Sequence, residues 1–106
     1  MISFEDFKKI DLRVAKVLSA QDHPNADKLY VLRVDLGSEE RQLVAGLRGY
    51  YSQEQLLGKS VVIVANLEPA VLRGVESQGM LLAVQDGTEV KVIQPETDVT
   101  PGSKVL

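Results

Sequence analysis

Apolar residues in this chain recur at two periods, and each change of period marks a change of element. Phe4, Phe7 and Ile10 fall at helical spacing, and Ser3 followed by Asp6 has the form of a capping box with Asp in the Glu position, so a short N-terminal helix is predicted. From Asp11 the period drops towards two. Leu12, Val14, Leu18 and Ala20 share a parity that Lys16 interrupts, which predicts a half-buried strand of about ten residues. His23-Pro24-Asn25-Ala26-Asp27 is turn chemistry. Tyr30, Leu32, Val34 and Leu36 then alternate with Val31, Arg33 and Asp35, a clearer strand, and Gly37-Ser38-Glu39-Glu40 leads into a third strand at Gln42–Ala45.

Ser52 with Gln55 is a second capping box and Gly58 a C-terminal stop, so a helix of barely two turns lies between them. Ser60–Leu67 is a β-branched, nearly continuous apolar run of the kind buried on both faces. Pro69 to Gly74 is expected as a loop, Met80–Val84 as a fifth strand, Asp86-Gly87 as a tight turn and Val90–Ile93 as the strand that pairs back. Pro95 and Pro101-Gly102 punctuate an extended C-terminal segment. The fold class implied is all-β: a five-stranded Greek-key barrel of the OB-fold type, with an N-terminal helix and a short helix between strands three and four. An SH3-like barrel would not require that second helix.

The 106 residues fit one domain, 1–106, and 44% apolar residues can fill its core. No apolar run approaches the ~20 residues that cross a bilayer, and the start MISFEDFKK carries acids and lacks a long hydrophobic region, so no secretory signal is expected and the expected address is the cytoplasm. The chain has no Cys, which excludes disulfides, thiolate nucleophiles and thiolate metal sites. Its one His, His23, cannot furnish a structural zinc site, and as a turn residue it is expected to be solvated rather than catalytic. Gly-rich phosphate loops are absent. A binding module without cofactor or metal is therefore expected rather than an enzyme.

The net charge of −3 argues weakly against nucleic acid, but its distribution matters more. Between residues 41 and 80, Arg41, Arg48, Lys59 and Arg73 outnumber Glu54, Glu68 and Glu76, a modest basic island in an acidic chain. Single-strand platforms stack bases on aromatic rings, and this chain offers few. Phe4 and Phe7 belong to the helix, Tyr30 shares the core parity, and Tyr50-Tyr51 suit the barrel end as well as a base. Such a surface is better suited to the shape and backbone of a folded RNA. Gly46-Leu47-Arg48-Gly49 matches the GxxG loop of KH domains in form, but here it follows a strand. The glycines are read as a tight exit, with Arg48 kept as a phosphate contact. The segment from Asn66 to Met80 sets Asn66, Arg73, Ser77 and Gln78 in a loop framed by Pro69, Gly74 and Gly79, and Arg73 carries a planar fork suited to phosphate.

Four segments, Asp11-Leu12-Arg13-Val14, His23–Leu29, Val61–Leu67 and Leu72–Met80, resemble in order the tRNA-binding domain family. That family includes the C-terminal domain or separate β subunit of methionyl-tRNA synthetase and free-standing tRNA-binding proteins. The resemblance spans nearly the whole chain, through the closing Pro101-Gly102-Ser103-Lys104-Val105. It implies a non-catalytic OB-fold homodimer that grips the outside corner of tRNA, with a synthetase catalytic chain as a further partner. Carried over by position, it implies RNA contacts at Asn66, Arg73, Ser77 and Met80, flanked by Lys28, Arg33 and Arg48. It also implies a dimer contact through Phe4, Phe7, Val105 and Leu106. Glu68, Ala70 and Val71 stand where relatives often carry extra cations, which implies weaker binding and a shallower salt slope. The alternative is a chaperone-like or synthetase-assembly module of the same fold that binds protein.

Overall fold

The computed structural model describes residues 1–106. It contains helix α1 (Phe4–Phe7), strands β1 (Leu12–Asp22), β2 (Tyr30–Asp35) and β3 (Glu40–Ala45), helix α2 (Gln53–Leu56), and strands β4 (Ser60–Val64), β5 (Ala70–Leu72), β6 (Val75–Ser77), β7 (Met80–Leu81), β8 (Ala83–Asp86) and β9 (Glu89–Val92). Five strands form one antiparallel sheet in the order β3-β2-β1-β4-β7. β3 lies beside β6 and β7, so the sheet curls almost shut into the expected OB-like barrel. Leu32, Leu43, Ile63, Val17, Val34 and Val61 fill its interior, and Leu56 of α2 closes one end. Burying each such side chain contributes about 1.5–3 kcal/mol.

Local chemistry explains the elements that were anticipated. The Ser52–Gln55 capping box forms in both directions and starts α2. The Ser3 hydroxyl accepts from the Asp6 amide at 3.1 Å and starts α1. Tyr30 is buried and its hydroxyl donates to the Tyr51 carbonyl at 2.7 Å, while the Tyr51 hydroxyl accepts from the Val92 amide at 3.1 Å. Tyr51 thus packs the barrel end.

Other elements depart from the expected pattern. In β1 the core-facing residues are Ala15, Val17 and Ala20, and Leu18 is exposed. A register shift between Val17 and Ser19 reverses the parity midway, which a simple alternation cannot follow. β4 ends at Val64 rather than Leu67, where the chain turns at Ala65 and Asn66. The expected fifth strand is divided. Met80–Leu81 pairs with β4, while Ala83–Asp86 pairs only with Glu89–Val92 in a separate ribbon around Asp86-Gly87. The C-terminal segment lies along β1, with the Val14 amide donating to the Ser103 carbonyl at 2.9 Å and the Gly102 amide to the Val14 carbonyl at 2.7 Å. Gly102 is at φ +90 with its Cβ position 2.2 Å from the Leu36 carbonyl oxygen, an approach only glycine permits.

Candidate nucleic-acid interface

In OB-folds the loop between the first two strands and the loop between the last two flank the ligand face. Here those are residues 23–29 and 65–79, and they meet. The second is not the loop expected over Pro69–Gly74. It folds into a β5–β6 hairpin, with Ala70 opposite Ser77 and Leu72 opposite Val75. Its two-residue tip is Arg73 at φ +51 and Gly74 at φ +88. Positive φ at both central residues defines a type I′ turn, which usually takes Asn-Gly. Arginine in that conformation costs about 1–2 kcal/mol.

His23 is the main correction to the expected site. It is buried, not solvated, with 3% of its surface exposed. Its Nδ1 accepts from the Asn25 amide at 2.9 Å, which leaves Nε2 as the donor to the Leu72 carbonyl at 2.8 Å. The Asn25 side chain donates to the Arg73 carbonyl at 3.3 Å. The His-Pro-Asn turn is thus a brace for the hairpin tip. Neither His23 nor Asn25 was among the expected site residues, because the signal lies in carbonyls 48 and 49 positions away.

The expected cations fall into two groups. Lys28 and Arg73 are exposed, and neither side chain makes an ion pair or hydrogen bond within the protein. Arg48 packs against the 23–29 loop, pairing with Asp22 at 3.0 Å and reaching the Ala26 carbonyl at 3.5 Å. Lys28 thus lies in that loop, Arg48 bonds to it, and Asn25 of the loop holds the main chain of Arg73. Arg33 stands further along β2, paired with Glu40 at 3.5 Å. Both pairs are exposed enough to contribute at most ~1 kcal/mol, so a phosphate can compete for either arginine.

The remaining expected residues are held differently. Asn66 is at the surface, but its Oδ1 accepts from the Asp11 amide at 2.8 Å and its Nδ2 donates to the Lys9 carbonyl at 2.7 Å. Ser77 is buried, accepting from the Val44 amide at 2.9 Å and donating to the Gly79 carbonyl at 2.9 Å. Beside it, the Gln78 amide donates to the Gln42 carbonyl at 2.8 Å and its side chain accepts from the Gln42 amide at 3.0 Å. Arg41, not anticipated, reaches the carbonyls of Ala65 and Gln78 from β3. Together these bonds close the barrel where β3 lacks a long ladder partner. Met80 is exposed and lines an apolar groove of about 180 Å³ with Val44, Leu47, Leu81 and Val90.

The four expected dimer residues do come together. Phe4, Phe7, Val105 and Leu106 line one groove of about 290 Å³ with Ile10, Lys8 and Lys104. Phe4 is 71% exposed and α1 has no buried residue, so its apolar face is only partly covered within the chain. No helix is long and apolar enough to cross a membrane, and no cluster of three His, Asp or Glu could hold a metal ion.

An OB-like barrel whose two ligand-side loops meet, with exposed cations beside them, is the architecture of a binding domain. Residues 12–104 match the family described as "Putative tRNA binding domain", and the chain belongs to that family. It is 64% identical over 104 residues to the methionine–tRNA ligase of Pyrococcus furiosus, covering 98% of this chain and 14% of that protein. The chain thus spans about one seventh of the length of that relative. Among solved structures, the MetRS-related protein of Pyrococcus horikoshii superimposes with a TM-score of 0.93 at 34% identity, covering 100% of this chain and 98% of that one. The chaperone CsaA of Bacillus anthracis gives a TM-score of 0.89 at 30% identity, covering 100% and 99%.

Proposed function

We propose that this domain is a non-catalytic module that binds tRNA by its backbone and shape, acts as a homodimer in the cytoplasm, and assists methionyl-tRNA synthetase in cis or in trans. The observation that carries it is that Lys28, Arg48 and Arg73 lie in or against the 23–29 loop in a chain of the tRNA-binding domain family. Lys28 and Arg73 face solvent without a carboxylate partner, and Arg48 can exchange Asp22 for a phosphate. Arg33 and Met80 extend the surface along the barrel, Ser77 supports it from within, and Asn66 fixes the turn after β4 to the start of β1. With so few cations, the phosphate contacts are few and the salt slope is shallow. Holding tRNA here raises its concentration near an active site that other residues supply.

A filter-binding titration with unfractionated tRNA tests this. Arg73→Glu should lower affinity by about tenfold or more with the circular dichroism spectrum intact, since one lost phosphate contact and one new repulsion together cost at least ~1.4 kcal/mol. Unchanged affinity removes Arg73 from the site. The dimer is carried by the partly covered groove of Phe4, Phe7, Val105 and Leu106. Sedimentation should give about 23 kDa, twice the chain mass of 11.6 kDa, and Phe7→Glu should return it to the monomer value.

The likeness to CsaA favours a second reading, a chaperone-like or synthetase-assembly module that binds protein. The apolar groove beside Met80 is the surface that would take an extended peptide. Competition between an unfolded polypeptide and tRNA separates the two: tighter binding of the polypeptide selects the second.

A further inference from the structure

The β5–β6 hairpin is short and its tip stands away from the core. β5 is exposed throughout, and so are Arg73 and Gly74. Two hydrogen bonds from outside the hairpin reach the tip, and they fall on consecutive carbonyls. His23 Nε2 donates to Leu72 at 2.8 Å and Asn25 Nδ2 donates to Arg73 at 3.3 Å. The Leu72 carbonyl belongs to the peptide plane whose rotation about Arg73 is φ, and the Arg73 carbonyl belongs to the plane whose rotation is ψ. The two donors therefore pin the two torsions that hold Arg73 left-handed, at φ +51. A left-handed arginine is uncommon and persists only where its surroundings over-determine it.

The brace is itself preorganised. His23 is buried, its tautomer is set by the Asn25 amide on Nδ1, and its main-chain amide donates to the Leu29 carbonyl at 3.1 Å. Pro24 fixes φ between the two donors. His23 is buried and Asn25 carries no charge, so the brace adds no charge to the surface. What they add is direction.

We infer that His23 and Asn25 are positioning residues for Arg73: they lock the main chain of the hairpin tip so that the Arg73 side chain leaves it in a fixed direction toward the RNA backbone, and they act on affinity only through it. This rests on the reading that Arg73 contacts RNA.

A double-mutant cycle on the full chain, read by tRNA titration, tests it. Asn25→Ala and His23→Ala should each lower affinity by about fivefold, the equivalent of the ~1 kcal/mol of one neutral hydrogen bond. His23→Gln, which keeps a donor within reach of the Leu72 carbonyl, should recover most of the loss. In an Arg73→Ala background neither Asn25→Ala nor His23→Ala should cause a further drop, because nothing remains to be aimed. Should His23→Ala fail to fold, Asn25→Ala at the exposed surface carries the cycle alone. If Arg73→Ala weakens binding but Asn25→Ala weakens it equally with or without Arg73, the brace acts elsewhere and the inference is overturned while the RNA reading stands. If Arg73→Ala binds as tightly as the wild type, the RNA reading itself is overturned and the inference falls with it.

Discussion

The fifteen residues between β4 and β7 contain two regions built from similar residue types and held in opposite ways. At the base, Ser77, Gln78 and Gly79 are partly or wholly buried, and Ser77 and Gln78 are bonded to β3. At the tip, Arg73 and Gly74 are exposed, and the outside bonds that hold it fall on the carbonyls of Leu72 and Arg73. Polar side chains at the base substitute for a missing stretch of sheet ladder, so their hydrogen-bonding capacity is used within the protein. The tip uses its main chain for structure and leaves its one charged side chain to solvent. Affinity and stability should therefore respond to different halves of one connection.

The largest effect is expected at the base. A Cβ on Gly79 would lie 2.9 Å from the Val64 carbonyl oxygen and 3.3 Å from Leu43 Cδ2, at a φ of +134 that side chains rarely adopt. Gly79→Ala should cost ~3 kcal/mol or more, a large share of the roughly 5–15 kcal/mol that holds a domain folded. Urea unfolding measures it, and a loss under ~1 kcal/mol would mean that β7 can move aside.

Ser77→Ala comes next. It leaves the buried Val44 amide without its acceptor, which should cost ~1–3 kcal/mol and lower the melting temperature by several degrees. The tRNA affinity of the folded fraction should fall less than it does for Arg73→Glu. An affinity loss as large as that of Arg73→Glu, with stability unchanged, would reverse the assignment of base and tip.

The same contrast decides how much was legible in the sequence. β2 could be read directly because Tyr30, Leu32, Val34 and Leu36 alternate without interruption. The capping box at Ser52 and Gln55 is equally local, and it formed as its spacing requires. β1 misled because a bulge at Leu18 moves the core from odd to even positions, and nothing in the alternation announces it. The hairpin was hidden because arginine occupies a turn position that asparagine or glycine usually marks. Ser77 and His23 looked like ordinary turn polarity. Their partners are Val44 and Leu72, 33 and 49 positions away, and only the closed barrel brings them together. Charge was legible at the level of residue type. Which arginines are already paired, as Arg33 and Arg48 are with Glu40 and Asp22, depends on register and loop geometry.

The smallest effect on stability, and the sharpest separation of the two regions, is expected at the tip itself. Arg73→Asn places the preferred residue of a type I′ turn at φ +51 and keeps the carbonyl that Asn25 holds. Relief of the left-handed strain should leave stability unchanged or raise it by a few tenths of a kcal/mol. The variant also removes one cation from the set in or against the 23–29 loop, so tRNA affinity should fall by several fold and the slope of log affinity against log salt should become shallower by ~0.7–0.9, the contribution of one phosphate contact. A stability gain together with an affinity loss, from one substitution, is the signature of a residue retained against its own conformational preference for what its side chain does. A fall in both would instead place Arg73 among the structural residues of the hairpin, and the division between base and tip would no longer hold.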